Sequence, residues 1–454
     1  MAIESQKLFS MVEKHRDLIL EAEREIWSHP ETGYKEWKTS AYLEKQFEAL
    51  GYTLTRAGNI PGFVTDIDTG RPGPKVVVFG ELDSLICTDH PEADPETGAV
   101  HACGHNAQCA ALLGLAAALK EEGALDGLSG SIRLCAVPAE ELIEQEFREE
   151  LVKKGIIKYY GGKVEFLFRG LLDGCDMGFM VHTSAILGKE HFMLRAGSNG
   201  CLTKNITFHG VSAHAGSSPD KGINALYAAS LAMNAANALR ETFRDDDHIR
   251  FHPIVTYGGT ATNAIPDTVR MESYVRGASL EAIQRENRKI NRALAASAAA
   301  MGANVTLTDR AGYMPYWQDE NMLDAAREAA LEIVGGDKNL IRDTHGFGTG
   351  CSDIGDICAV MPACHPYAAG ATGKGHGADF RVVDPERACV GSAKLQLLML
   401  SILLQNGAER AKKVLANKKT VFASKEEYFK TIDAINSEKK AVVYHEDGRI
   451  TLDF

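Results

Sequence analysis

Apolar positions recur at helical spacing from Leu8 to Trp27 (Leu8, Met11, Val12, Leu18, Ile19, Ala22, Ile26), which predicts an amphipathic helix closed by His29-Pro30. A second helix is expected around Ser40 to Leu50, with Gly51 in the place that follows a helix C-terminus. The pattern then shifts to short strand-like runs. Phe63 to Ile67 and Lys75 to Phe79 flank a turn rich in Gly and Pro, and Ser131 to Val137 and Cys175 to Val181 follow. The Lys75 to Phe79 run is continuously apolar, as a strand covered on both faces would be, and the set predicts an α/β sheet. Between them, Ala110 to Leu119 predicts a buried helix.

Chemistry-bearing residues gather where these runs end. Glu81-Leu82-Asp83 leaves the second strand, Pro138-Ala139-Glu140-Glu141 leaves the third, and His182 follows the fourth. Strand ends are where ligands collect in open α/β sheets. Adjacent carboxylates on an extended segment face opposite ways, so one of Glu140 and Glu141 can meet a metal while the other meets water. The stretch His101-Ala-Cys-Gly-His-Asn106 adds a thiol and two imidazoles just before the central helix, with Gly104 letting Cys103 and His105 converge. Each feature alone also fits a bland role: a core thiol, a solvated loop, or a Glu pair favouring a helix start.

From about Gly197 to Gly312 the texture changes. Strands are expected around Ile206 to Phe208, Ile249 to Tyr257 and Thr268 to Val275, and helices over Ala225 to Leu239 and Leu280 to Met301. Two helices on one antiparallel sheet, with both ends in one neighbourhood, predict an inserted domain at 197–312 within a domain formed by 1–196 and 313–454. His214 lies in the glycine-flanked Gly210-Val-Ser-Ala-His-Ala-Gly216. Beyond the insert come a helix near Asn321 to Ile333, a glycine-rich loop at Gly346 to Asp356, and Gly373-Lys-Gly-His-Gly377. Asp384-Pro385 then opens a long apolar helix, and the last forty or so residues read as charged helix and a polar end.

Composition narrows the function classes. The 454 residues exceed one ordinary core, and a net charge of -12 argues against nucleic acid as a partner. Ten cysteines without a CxxC pair indicate buried thiols rather than a disulfide framework. The start lacks a signal-peptide pattern and no apolar run approaches twenty residues, so a cytoplasmic protein without membrane contact is expected.

In order and spacing, His101 to Asn106, Pro138 to Glu141, His182, Ala213-His-Ala-Gly216, Asn263-Ala-Ile-Pro266 and His376 resemble the two-metal amidohydrolases that include aminoacylases and carboxypeptidases. Within them the chain looks most like the branch of aminobenzoyl-glutamate, hippurate and indoleacetyl-amino-acid hydrolases, where a cysteine replaces a bridging carboxylate. The resemblance implies an α/β, zinc-peptidase-like catalytic domain with a mixed sheet flanked by helices, plus an inserted α+β lid and dimerisation domain. It implies two divalent metals, zinc or manganese, on Cys103, His105, Glu141, His182 and His376, with Glu140 as general base and Glu81 and Asp83 behind the ligands. It also implies that His214 stabilises the oxyanion from a second subunit, and that Asn263 and Arg276 bind substrate.

The implied reaction is hydrolysis of an amide in N-acyl amino acids or aminobenzoyl-glutamate-like conjugates, by a homodimer or a pair with a related chain. A dipeptidase, a non-catalytic binding member and a Cys103-nucleophile hydrolase are the alternatives. The chain departs from many relatives at Asn106 and Gln108, where they carry Asp and His, and at Glu81, where they tend to carry Asp. These positions put the charge and hydrogen bonding around His105 in question.

Overall fold

The computed structural model describes residues 4–454. The first amphipathic run forms two helices, α1 (Ser5–Glu13) and α2 (Arg16–Trp27), rather than one. The break falls where Lys14-His15-Arg16-Asp17 offers no apolar residue to hold a continuous helix against the core. After α3 (Trp37–Ala49) come β1 (Phe63–Asp68) and β2 (Lys75–Glu81). Every residue of α4 (His105–Ala118) is buried, which explains why it shows no polar face.

Next follow β3 (Ser131–Val137), α5 (Gln145–Lys153), α6 (Gly162–Phe168), β4 (Met177–Phe179) and β5 (His182–Ser184). In the main sheet β2 lies between β3 and β4 and runs parallel to both, whereas β1 pairs antiparallel with β3. The C-terminal ends of β2, β3 and β4 therefore share one edge. That edge is where Asp83, Glu140, Glu141 and His182 leave the sheet.

The insert holds β6 (Gly200–His209), α7 (Ala225–Ala238), β7 (Ile254–Tyr257), β8 (Thr268–Gly277), α8 (Leu280–Ala300) and β9 (Asn304–Ala311). All its strand pairings are antiparallel. Ala228 and Ala232 of α7 and Ile290 and Leu294 of α8 share a core with Phe208, Val269 and Met271 of the sheet. Small alanines on α7 let that helix lie close on the strands.

The remaining chain gives α9 (Glu320–Ile333), α10 (Ile354–Val360), β10 (Ala363–Cys364), α11 (Ser392–Ala416), α12 (Lys425–Asp433) and β11 (Ser437–Lys440). Asp384 accepts the Arg387 N–H at 3.1 Å, a cap that leads through one π turn, Glu386–Gly391, into α11. The helical stretch Glu386–Ala416 is long and apolar enough to cross a bilayer, but 83% of its apolar window is buried within this protein. It packs against α4 and α9 as a core helix. The tail returns to the insert, where β11 pairs antiparallel with β9. Its sequence Ser-Glu-Lys-Lys has no apolar alternation because it is an exposed edge strand, and lysines there discourage further pairing.

Candidate metal centre

Two loops and two strand ends converge on Cys103. Gly104, at φ 87°, separates it from His105, and a Cβ there would meet the Thr183 Cβ at 2.9 Å. Glycine is thus required both by backbone conformation and by contact. Cys103 Sγ lies 3.5 Å from His182 Nε2, whose Nδ1 sits 2.7 Å from the Thr183 carbonyl, an arrangement that leaves Nε2 free of its proton. His376 Nε2 stands 3.1 Å from Glu141 Oε1, and the His376 N–H donates to the Ala102 carbonyl at 2.9 Å.

His105 is fixed from the other side. Its Nδ1 lies 2.9 Å from the Asp83 carbonyl and 3.2 Å from the Asp83 carboxylate, so Nε2 faces the cluster. Asp83 also accepts the Glu141 N–H at 2.8 Å, and one residue thereby sets two candidate ligands. His105 Nε2 and Glu141 Oε1 are buried without a hydrogen-bond partner among the described residues.

Possible ligand atoms form four triads within 4.8 Å: Cys103–His105–His182 and Cys103–Glu141–His376 share Cys103, and His105–Glu140–Glu141 and Glu81–Glu140–Asp353 share Glu140. A thiolate shared between imidazole and carboxylate sets fits two divalent cations. Burial and Glu141 push the Cys103 thiol up, but His105 and His182 outweigh them and bring it down to about 6. Against burial, His376 and His105 hold Glu141 down to about 2. Glu140 goes the other way: burial, then Glu81 and Glu141, push its carboxyl well above the ordinary range.

The Glu140 turn is strained and clamped. Ala139 has φ 59° and is fully buried, a conformation an alanine keeps only when its surroundings impose it. The Ala139 N–H donates to Glu36 at 2.8 Å, and the buried Arg148 guanidinium donates to the carbonyls of Ala139, Glu141, Ile143 and Tyr160. His376 has φ 63° as well, so backbone strain falls on two segments of the cluster.

A cavity of about 240 Å³ opens on this cluster. Cys103, Glu140, Glu141, His182 and His376 line it together with Arg276, Tyr313 and His365. Residues 196–301 match the peptidase dimerisation domain of the M20 family. The chain thus carries a domain of that kind as its insert. It is 28% identical over 361 residues to the Xaa-Arg dipeptidase of Homo sapiens, covering 76% of this chain and 74% of that one. It is 27% identical over 283 residues to one of the subunits of the p-aminobenzoyl-glutamate hydrolase of Escherichia coli, covering 60% and 53%. Its fold is similar to that of a dinuclear metal-binding M20 peptidase from Bacillus subtilis, with a TM-score of 0.62 at 21% identity over 86% of this chain and 99% of that one. The resemblance read from the motifs holds, and so does the mixed α/β fold with its inserted domain.

In this chain, the departures near His105 are internally matched. Asn106 does not face the cluster: it donates to Glu23 of α2 at 2.8 Å. Glu81 Oε2 stands 3.2 Å from His105 Nε2 and accepts from Gln108 Nε2 at 3.1 Å. The buried Lys163 ammonium bridges Glu81 and Asp353, lying 2.5 Å from the latter. Glu81, Glu140 and Asp353 form another compact acidic triad, and Lys163 supplies positive charge there.

His214 and Asn263 do not line the cavity of their own chain. Both are exposed and adjacent, His214 bridging to Ala264 and Asn263 accepting the Ala215 N–H at 2.9 Å. His214 Nδ1 accepts from the N–H groups of Gly216 and Ser217 at 3.1 and 3.0 Å, so the ring proton sits on Nε2. Arg148, Lys163, Tyr313 and His365 went unremarked in the sequence because they lie outside the motifs, Asp353 was noticed only as part of the glycine-rich loop, and only the fold shows that all five are buried beside the motifs.

Proposed function

We propose that this chain hydrolyses the amide bond joining an acyl group to an amino acid that keeps its free carboxylate, as in N-acyl amino acids and aminobenzoyl-glutamate-like conjugates. The observation that carries the reading is Glu140, a buried, unusually basic carboxylate on a clamped turn beside a five-residue ligand set. Cys103, His105, Glu141, His182 and His376 would hold two divalent cations, zinc or manganese. Such cations, when bound, supply Lewis acidity toward the scissile carbonyl and make water a better nucleophile.

The residues of the chain do the rest. Glu140 takes a proton from the attacking water and returns it to the leaving amine, a task that suits a carboxyl whose proton affinity is raised. Arg276 is stacked over the Tyr274 ring at 4.4 Å, lines the cavity, and its Nε has no hydrogen-bond partner among the described residues. A planar guanidinium so placed receives the substrate carboxylate. His214 presents its Nε2–H outward, and in a dimer the partner's inserted domain delivers this donor to the oxyanion. A homodimer is the simplest arrangement, and the relative whose name makes it one part of a multi-chain hydrolase supports a related second chain as the variant.

A dipeptidase is the second reading, favoured by the similarity to the Xaa-Arg dipeptidase. One experiment tests both. Elemental analysis is combined with hydrolysis of hippurate, aminobenzoyl-glutamate, acetyl-amino acids and dipeptides before and after chelation. Close to two metals per chain with chelator-sensitive cleavage supports the proposal, and preference for a free amino group on the acyl side selects the dipeptidase. Cleavage that survives metal removal would overturn the mechanism in favour of Cys103 as nucleophile.

A further inference from the structure

His365 is 2% exposed, lines the cavity, and neither of its ring nitrogens has a hydrogen-bond partner among the described residues. Its place is fixed all the same. The His365 N–H donates to Gln318 at 2.5 Å, and its ring packs against Tyr367 at 4.7 Å and edge-on to His182 at 5.5 Å. A buried polar group left unpaired is costly, so the protein keeps this imidazole for a partner that enters the cavity.

Two walls of the cavity differ in origin. Arg276 lies on β8 of the inserted domain, with its neighbour Tyr274 packed against a cluster that contains Cys201 and Tyr313. His365 lies just after β10 of the catalytic domain, beside the candidate ligand His182. A substrate whose carboxylate rests on Arg276 and whose scissile bond lies at the ligand cluster leaves its acyl half and its amino-acid side chain for the remaining wall, and of these the acyl half is bonded to the reacting carbon beside His182, the neighbour of His365.

We infer that His365 is a specificity residue that hydrogen-bonds a polar group on the acyl half, so that the site selects acyl groups carrying an amino or hydroxyl function over apolar ones of the same shape. This inference rests on the proposed amide substrate and narrows its class. An apolar isostere in the same place would leave the imidazole unpaired, and rejection on that ground is stronger than rejection by size.

The test is ligand binding to the metal-loaded Glu140→Gln chain, in which turnover is blocked. Two matched pairs are used, each on glutamate: 4-aminobenzoyl against benzoyl, and glycyl against propanoyl. In at least one pair the amino-bearing ligand is expected to bind about tenfold tighter. In His365→Leu that ratio falls to about one, while His365→Gln, which keeps a donor and an acceptor, retains part of it. A ratio of one in both pairs, a ratio that persists in His365→Leu, or no binding of any ligand overturns the inference. Turnover by the wild-type chain separates the two readings. No cleavage with the binding ratio intact sinks the hydrolase and leaves His365's role standing, whereas cleavage without discrimination sinks the role of His365 alone.

Discussion

Gln108 and Glu81 hold each other through two hydrogen bonds: the Glu81 N–H donates to Gln108 Oε1 at 2.5 Å, and Gln108 Nε2 donates to Glu81 Oε2 at 3.1 Å. A first-turn residue of α4 thereby fixes a carboxylate at the end of β2, and that carboxylate touches the face of His105 that a metal would use. Gln108→Leu should free Glu81 and leave it partly unsatisfied. The expected result is 10–100-fold weaker metal affinity, the usual cost of losing support behind a ligand. Titration of the apo chain with zinc under competition from a chelator checks it, and unchanged affinity would show that Lys163 alone is enough to hold Glu81.

Lys163 has the larger effect on the fold. It is fully buried, and its ammonium joins Glu81 to Asp353. Lys163→Met removes the cation and leaves two buried carboxylates facing each other, so a loss of about 3–5 kcal/mol is expected. Chemical denaturation measures it. Combining Lys163→Met with Asp353→Asn should recover part of the loss, because the stranded charge costs more than the missing contact.

The two roles drawn within the cluster separate on mutation. Glu140→Gln keeps every candidate ligand, so metal content should stay near wild type while turnover falls by about 10²–10⁴-fold. His182→Ala takes away an imidazole that lies 3.5 Å from Cys103, and metal should be lost along with activity. Elemental analysis of both purified variants decides the matter, and equal metal loss would erase the distinction between base and ligand.

What was legible in the sequence was what lies close together along it. The strands ending at Glu81, Val137 and Phe179 announced themselves as apolar runs, and the residues just beyond them are the ones that meet. Asn106 and Gln108 drew notice only as departures from relatives. Their partners, Glu23 and Glu81, are 83 and 27 residues away, and no local pattern encodes such pairs. The same holds for Arg148, whose clamp on the Glu140 turn could not be told from an ordinary helix arginine, since four carbonyl partners leave no periodic trace. β11 was missed for a different reason: an exposed edge strand is selected to look unlike a strand.

Acid should weaken the join between the two domains. Glu149 on α5 accepts from Arg310 on β9 at 2.7 and 3.1 Å and from Tyr160 at 2.7 Å. Burial works against the charged form, but Arg310 and Tyr160 outweigh it and hold the Glu149 carboxyl below its ordinary value. A depressed folded pKa contributes stability that is present above the unfolded value, about 4.3, and is lost as pH falls through the folded one. Glu149→Gln should therefore be less stable than wild type at neutral pH and lose less on acidification below about pH 4. Thermal unfolding across that range checks it, and parallel curves would show that the pair contributes no pH-dependent stability.

His214 offers the most direct test of assembly. It is exposed on its own chain, does not line that chain's cavity, and carries its proton on the outward Nε2. Glu140→Ala and His214→Ala should each be inactive alone. If His214 serves the partner's site, a mixed dimer of the two variants contains one site with both residues intact. Random exchange of chains then restores about a quarter of wild-type activity, since half the dimers are mixed and each has one working site in two. If His214 instead serves its own chain, every site in the mixture carries one defect and nothing returns. Co-refolding of the two variants, with activity followed as their ratio is varied, distinguishes these outcomes; a maximum at equal amounts is the result expected from a shared site.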